Sequence, residues 1–197
     1  EELRRAIAAY LHQFRGMTVD PEQIIVGAGT EFLYNIIIQL LGREKCYAVE
    51  DPGYSKISQI YAQNGVRLVR VGLDEAGLSV RALRREPADI VHLSPSHHYP
   101  TGIVMPIARR RELLRWAEES AERCILEDDY DSEFRFVGRP IPTLFSTDES
   151  QRVIYLNTFS KTIAPSIRIS YMLLPPRLLE RYREKLGFYA CTVSSFE

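Results

Sequence analysis

The sequence predicts an α/β fold with a largely parallel sheet. Helical and strand signals alternate along the whole chain, the pattern of a sheet whose strands are joined by helices. Short apolar runs such as Ile24-Ile25-Val26, Tyr47-Ala48-Val49 and Cys124-Ile125-Leu126 read as strands. Several of these run straight into clusters of glycine, proline, hydroxyl or acid residues, at the carboxyl ends where open α/β sheets gather ligands.

The elements follow in order. Leu3, Ile7, Tyr10, Leu11 and Phe14 form a helical stripe that stops near Gly16. The strand Ile24 to Val26 enters Gly27-Ala28-Gly29. Thr30 through Leu41 shows helical spacing (Phe32, Ile36, Leu40) and ends at Gly42, a C-cap position. Tyr47 to Val49 is a strand closed by the turn Asp51-Pro52-Gly53. A helix over 54–64 ends at Asn64-Gly65, and Val66 to Val71 is a strand. Ala88 to Leu93 is a strand leading into 94–102, a stretch too rich in turn formers for helix or sheet. Pro106 opens a helix with Leu113, Leu114, Trp116 and Ala117 on its apolar side. Cys124 to Leu126, Val153 to Leu156 and Ile167 to Leu174 are strands, and Pro175-Pro176 starts a helix to about Leu186. No repeat or long charged linker divides the chain, so it reads as one unit.

Composition narrows the function. The 197 residues are 45% hydrophobic and 26% charged, an ordinary globular balance. No apolar stretch reaches the roughly 18 to 20 residues that cross a bilayer, and no signal sequence opens the chain, so the cytoplasm is the expected location. A formal net charge of −1 gives no sign of a nucleic-acid surface on this segment. Cys46, Cys124 and Cys191 are widely spaced and odd in number, which points to free thiols rather than disulfides or a zinc site. The adjacent His97 and His98 suit a loop role better than a metal, so no metal site is assigned. The chain opens at Glu1 inside a helical stripe and ends at Glu197 without a closing element. We read it as a piece of something longer.

Four strand-end segments carry possible chemistry. Gly27-Ala28-Gly29-Thr30-Glu31-Phe32 follows a strand and opens a helix, so its backbone N–H groups could hold a phosphate; a plain strand-to-helix turn is the alternative. Phe32 stands where the dinucleotide fingerprint has its third glycine. Glu127-Asp128-Asp129-Tyr130-Asp131-Ser132-Glu133 packs five acids into seven residues. A calcium loop fails at Phe134, where glycine is required, which leaves a solvated acidic turn or a strand-end carboxylate that pairs with a protonated ring nitrogen. Thr158-Phe159-Ser160-Lys161 lies between two buried strands; desolvation there would lower the lysine's pKa and make it a nucleophile, whereas a surface loop would leave it ordinary. Arg168, with two hydroxyls, suits a phosphate, and Tyr54 offers a ring for stacking. A lysine nucleophile, a strand-end acid, a helix start with hydroxyls and arginine, and a stacking ring together match the needs of pyridoxal phosphate.

The same residues resemble the fold-type I (class I/II) aminotransferases, in the same order over nearly the whole chain. The stretches Ser96 to Pro106, Glu127 to Phe134 and Thr158 to Lys161, with Glu50-Asp51-Pro52-Gly53-Tyr54, Gly138-Arg139-Pro140-Ile141-Pro142 and Ser166-Ile167-Arg168, are similar to the MocR branch, GntR-type bacterial regulators that fuse a winged helix-turn-helix domain to an aminotransferase-like domain. The resemblance implies a three-layer large domain of the aspartate aminotransferase type over residues 1–197, without the DNA-binding and small C-terminal domains. It implies pyridoxal 5'-phosphate held as an internal aldimine by Lys161, with Asp128 on the pyridine nitrogen, Tyr130 on the phenolic oxygen and Tyr54 on the ring face. The phosphate would meet the backbone of Thr30 and Glu31, with Thr158, Ser160 and Arg168. Tyr99 stands where free-standing aminotransferases carry asparagine before Pro-Thr-Gly, a departure that favours the regulator branch.

The expected function is therefore that of an effector-sensing domain in a transcription regulator. A small amino compound would displace Lys161 by transaldimination, and DNA would be bound by a domain outside this chain. A homodimer is expected, with no membrane partner. Two rivals stand beside it: a free-standing aminotransferase using Lys161 as general base, and a nucleotide-binding module using Gly27 to Glu31.

Overall fold

The computed structural model describes residues 1–130, 141–159 and 168–193; Ser160 and Lys161 lie outside them. Helix α1 (Glu2–Arg15) buries Ile7 and Leu11 and ends at Gly16, whose φ of 63° lets its N–H reach the His12 carbonyl. A short 3-10 turn (Pro21–Gln23), capped by Asp20, feeds β1 (Ile24–Ala28). Helix α2 (Thr30–Leu41) follows after the single residue Gly29. Then come β2 (Cys46–Asp51), α3 (Ser55–Gln63) and β3 (Arg67–Asp74). A two-residue β4 (Gly77–Leu78) and the short α4 (Val80–Leu83), capped by the Ser79 side chain, lead to β5 (Ile90–Leu93). The remainder is α5 (Ile107–Glu118), β6 (Cys124–Asp128), α6 (Leu144–Thr147), β7 (Val153–Thr158), β8 (Ile169–Leu173) and α7 (Pro176–Leu186).

The eight strands form one sheet in the order β1-β8-β7-β6-β5-β2-β3-β4. The β3–β2–β5–β6–β7 run is parallel throughout. Strand β8 is antiparallel to both β7 and β1, so β1 points the same way as the parallel run. The sheet is mixed but mostly parallel, as the alternation of elements implies.

Side chains leave successive strand residues on opposite faces, and that alternation sorts the core into layers. On one face Tyr47, Val49, Ile90, Leu126 and Leu156 pack under α2, α3 and α7, whose contributions include Leu33, Ile37, Tyr61 and Leu178. On the other, Ala48, Val91, Leu93 and Ile125 pack against Leu113, Trp116 and Ala117 of α5, with Leu144 of α6. Farther along that face, Tyr155 and Tyr171 meet Ile7 and Leu11 of α1. Helices thus cover both faces of the sheet.

Boundaries shift where tertiary contacts extend the local signal. Strand β7 runs on to Thr158, because Thr158 is paired with Ser170 of β8. Strand β3 runs on to Asp74, because Leu73 and Asp74 pair with β4, an element too short to leave a periodic trace.

Candidate ligand-binding site at the carboxyl edge of the sheet

The topology brings every described strand-end segment to one edge. Strands β1, β2, β5, β6 and β7 all finish there, and antiparallel β8 begins there, with Ala28 paired to Ile169 and Thr158 to Ser170. A cavity of about 340 Å³ opens at this edge. Thr30, Tyr54, Asp128, Tyr130 and Thr158, all singled out from sequence, line it. Val49, Ile57 and Leu93 supply apolar wall.

Asp128 is the polar centre of the floor. It is buried, and its Oδ2 accepts a hydrogen bond from the Tyr34 hydroxyl at 2.6 Å. His92 Nε2 stands 3.4 Å from the same oxygen, while its Nδ1 is 2.6 Å from the Tyr61 hydroxyl. Burial, reinforced by the Asp128 charge, pushes the Tyr34 hydroxyl well above its ordinary pKa, so it stays a donor. No hydrogen bond among the described residues reaches Asp128 Oδ1. The carboxylate therefore offers one fixed oxygen to the protein and one acceptor to the cavity.

Its two neighbours turn the other way, as strand alternation requires. Asp129 is fully buried, takes the Tyr155 hydroxyl at 2.6 Å and pairs with the Arg15 guanidinium at 2.7 Å. Glu127, equally buried, accepts the Leu144 and Phe145 N–H groups at 2.9 Å each, with Arg110 Nη1 at 3.5 Å. Burial pushes Glu127 up to about 7, the Asp129 charge adding to the rise and Arg110 opposing it. The acidic run at 127–129 is thus no solvated turn; each acid has its own buried setting.

At the start of α2, Gly29 adopts φ 97°, a left-handed conformation, and no side chain caps the helix. A Cβ at Gly29 would sit 2.5 Å from Arg168 Nη2, so glycine is what lets the guanidinium approach the helix start. Arg168 also pairs with Glu31 Oε2 at 3.1 Å, and Lys56 holds the other Glu31 oxygen. The Lys56 contact is the main cause that keeps the Glu31 carboxyl below its usual range. The Glu31 side chain binds cations, then, while its backbone belongs to the helix start. The Thr158 hydroxyl accepts from Ser170 at 2.9 Å, and Tyr54, half exposed, meets Tyr99 edge-on with ring centroids 5.9 Å apart.

Three wall residues were not among the site residues expected from sequence. Tyr34 is one of many buried positions on α2, and Glu50 looks like the polar end of a strand. His92 could be found only by aligning parallel strands: it pairs with Leu126, placing it on the face that Leu126 shares with Asp128. Of the adjacent histidines, His98 turns inward and His97 outward.

Residues 1–195 match the family Aminotransferase class I and II. The chain belongs to that family. It is 42% identical over 193 residues to YdeL, an uncharacterized HTH-type transcriptional regulator of Bacillus subtilis (strain 168), covering 98% of this chain and 42% of that protein. It is 38% identical over 183 residues to the probable rhizopine catabolism regulatory protein MocR of Rhizobium meliloti, covering 92% and 37%. A solved kynurenine aminotransferase of Pyrococcus horikoshii, in complex with PMP, aligns with a TM-score of 0.83 at 28% identity, covering 96% of this chain and 49% of that one. The chain thus spans about two-fifths of the length of these regulators.

Class I and II aminotransferases typically use pyridoxal phosphate, and the edge cavity has the features such a group needs. Asp128 Oδ1 is an acceptor free among described residues for a protonated ring nitrogen. The uncapped start of α2, with Arg168 beside it, suits a phosphate. Tyr54, half exposed, brings an aromatic ring to the cavity wall.

Proposed function

We propose that this chain is the pyridoxal-phosphate-binding, effector-sensing part of a MocR-type transcription regulator. The observation that carries the cofactor reading is Asp128, a buried carboxylate with one oxygen fixed by Tyr34 and the other turned to the cavity. The regulator reading is supported by likeness to HTH-type regulators at 42% and 38% identity, above the 28% shared with the kynurenine aminotransferase.

When bound, pyridoxal phosphate supplies an electrophilic aldehyde and an electron-withdrawing ring. Asp128 holds the proton on the ring nitrogen, and Tyr34 and His92 keep that carboxylate in place. The first turn of α2, Thr158 and Arg168 bind the phosphate. Tyr54 covers the ring, and Tyr130 donates to its phenolic oxygen. Lys161, three residues beyond Thr158 in sequence, would supply the amine for the cofactor's aldehyde, the group for which an amino compound or amino acid would compete. DNA is bound by a domain outside this chain, in a cytoplasmic homodimer. No described helix is long and apolar enough to cross a membrane.

The test uses the full-length protein with added pyridoxal phosphate. A visible absorbance band that vanishes on borohydride reduction, with the cofactor then fixed irreversibly to the protein, and that Lys161→Ala never shows, is the expected result. Amine-dependent change in DNA retention by the loaded protein then supports the regulator. Multiple-turnover exchange between an amino acid and a 2-oxo acid supports the second reading, an aminotransferase, which the family match favours. Absence of the band in the parent protein overturns both.

A further inference from the structure

A second carboxyl lines the cavity, and the reading above leaves it unused. Glu50, the penultimate residue of β2, is 8% exposed. Its Oε2 accepts the Ser94 N–H at 3.0 Å and lies 3.5 Å from His98 Nε2. Ser94 and His98 are the first and fifth residues of the segment that leaves β5 and carries Tyr99 to the cavity rim. His98 is held further by Thr101 Oγ1, 2.7 Å from its Nδ1, and by its N–H to the Ile103 carbonyl at 3.0 Å. The main chain of Glu50 meanwhile begins the turn that carries Tyr54: a Cβ on Gly53 would lie 2.4 Å from the Glu50 carbonyl oxygen. One residue thus governs both aromatic walls, through its backbone on one side and its carboxyl on the other.

We propose that Glu50 is a positioning residue that fixes Tyr99 edge-on against Tyr54, so that the two rings make a corner fitted to a flat phosphorylated pyridine ring. Tyr99 is thereby a residue of the cofactor cradle. The two ring planes stand 84° apart, so a flat ring stacked on Tyr54 would lie nearly perpendicular to the Tyr99 ring. An edge-to-face contact of that kind contributes to affinity and selects against puckered or branched ligands. Burial keeps the Glu50 carboxyl protonated at neutral pH, up to about 8, opposed by the Ser94 N–H and aided by the Asp128 charge. It therefore holds the Ser94 segment without adding a second full charge beside Asp128. The groups facing it are Ser94 and His98 from the β5 segment and Asp128 from β6.

The proposal rests on the pyridoxal-phosphate reading, and its test separates the two. The dissociation constant for pyridoxal phosphate is measured by spectral titration of the full-length protein. Parent protein that binds none overturns the underlying reading. Given binding, Tyr99→Ala and Glu50→Ala are each expected to weaken it about fivefold. The double variant is expected to be no weaker than either single one, because Glu50 acts through Tyr99. Glu50→Gln keeps an acceptor for Ser94 and is expected to bind as the parent does. Should Glu50→Ala not fold, Glu50→Asp, one methylene shorter, is read in its place. Unchanged affinity in Tyr99→Ala, or losses that add in the double variant, overturn the proposal; so does a loss in Glu50→Gln equal to that in Glu50→Ala.

Discussion

Glu50 carries a consequence for stability as well as for binding. Its folded-state pKa, raised to about 8, lies above the ordinary 4.5, so the folded protein keeps a proton that the unfolded chain releases. Stability contributed by that proton is complete below the ordinary value and drains away as pH climbs toward 8. Glu50→Gln removes this drain. Urea unfolding at pH 5 and pH 8 should show the variant gaining on the parent at the higher pH, by an amount on the order of a few kcal/mol. Equal pH dependence in both proteins would count against a buried, neutral carboxyl. Single site residues differ in how far the sequence alone marks them. Asp128, Tyr130, Thr30, Thr158 and Tyr54 were legible because each sits at a strand end or just past one, and all five line one cavity. Tyr34, His92 and Glu50 were not, because what distinguishes them is a partner across the sheet or on a covering helix.

Between elements, two contacts fix how helices meet the site. Arg15, in the last turn of α1, is paired with Asp129 just past β6, both side chains almost wholly buried. A buried ion pair adds little net stability, but breaking it strands a charge. Arg15→Met is therefore expected to cost about 3–5 kcal/mol, and adding Asp129→Leu should recover most of the loss. Denaturant midpoints of the two variants check this; equal losses in both would show that the pair is not the cause. At the start of α2, Gly29→Ala puts a Cβ against Arg168 in a backbone conformation that alanine resists. The expected cost is about 1–3 kcal/mol, together with weaker pyridoxal-phosphate binding. A variant with parental stability and affinity would exclude that account. Periodicity and caps marked α1 and α2 well, since Gly16 and Gly42 do stop them. It failed for β4, α4 and α6, each under five residues, whose existence depends on the strands and side chains they meet.

Across the whole molecule, the order of alternating elements was enough to foresee a mostly parallel sheet, while the antiparallel insertion of β8 between β1 and β7 was not readable from local pattern. That insertion brings Arg168, distant in sequence, to the helix start at Gly29. The layers on both faces also decide thiol chemistry. Burial lifts Cys124 to about 12 and raises Cys46, whereas Cys191 is exposed. Alkylation of the native chain should modify Cys191 alone, with Cys46 and Cys124 reacting after denaturation; mass spectrometry of the labelled peptides decides it. The three successive acids on β6 and its exit have one more effect. Sliding this strand by one position either way would still leave a carboxyl in the slot of Asp128, so the cavity by itself cannot fix the alignment. One slide pushes Glu127 into the place of Leu126 among the apolar layer under α2; the other puts Leu126 where Glu127 now receives the Leu144 and Phe145 amides. Either error buries an unmatched polar group. The alignment of Asp128 is thus checked at the two preceding slots of the strand, one on each face of the sheet.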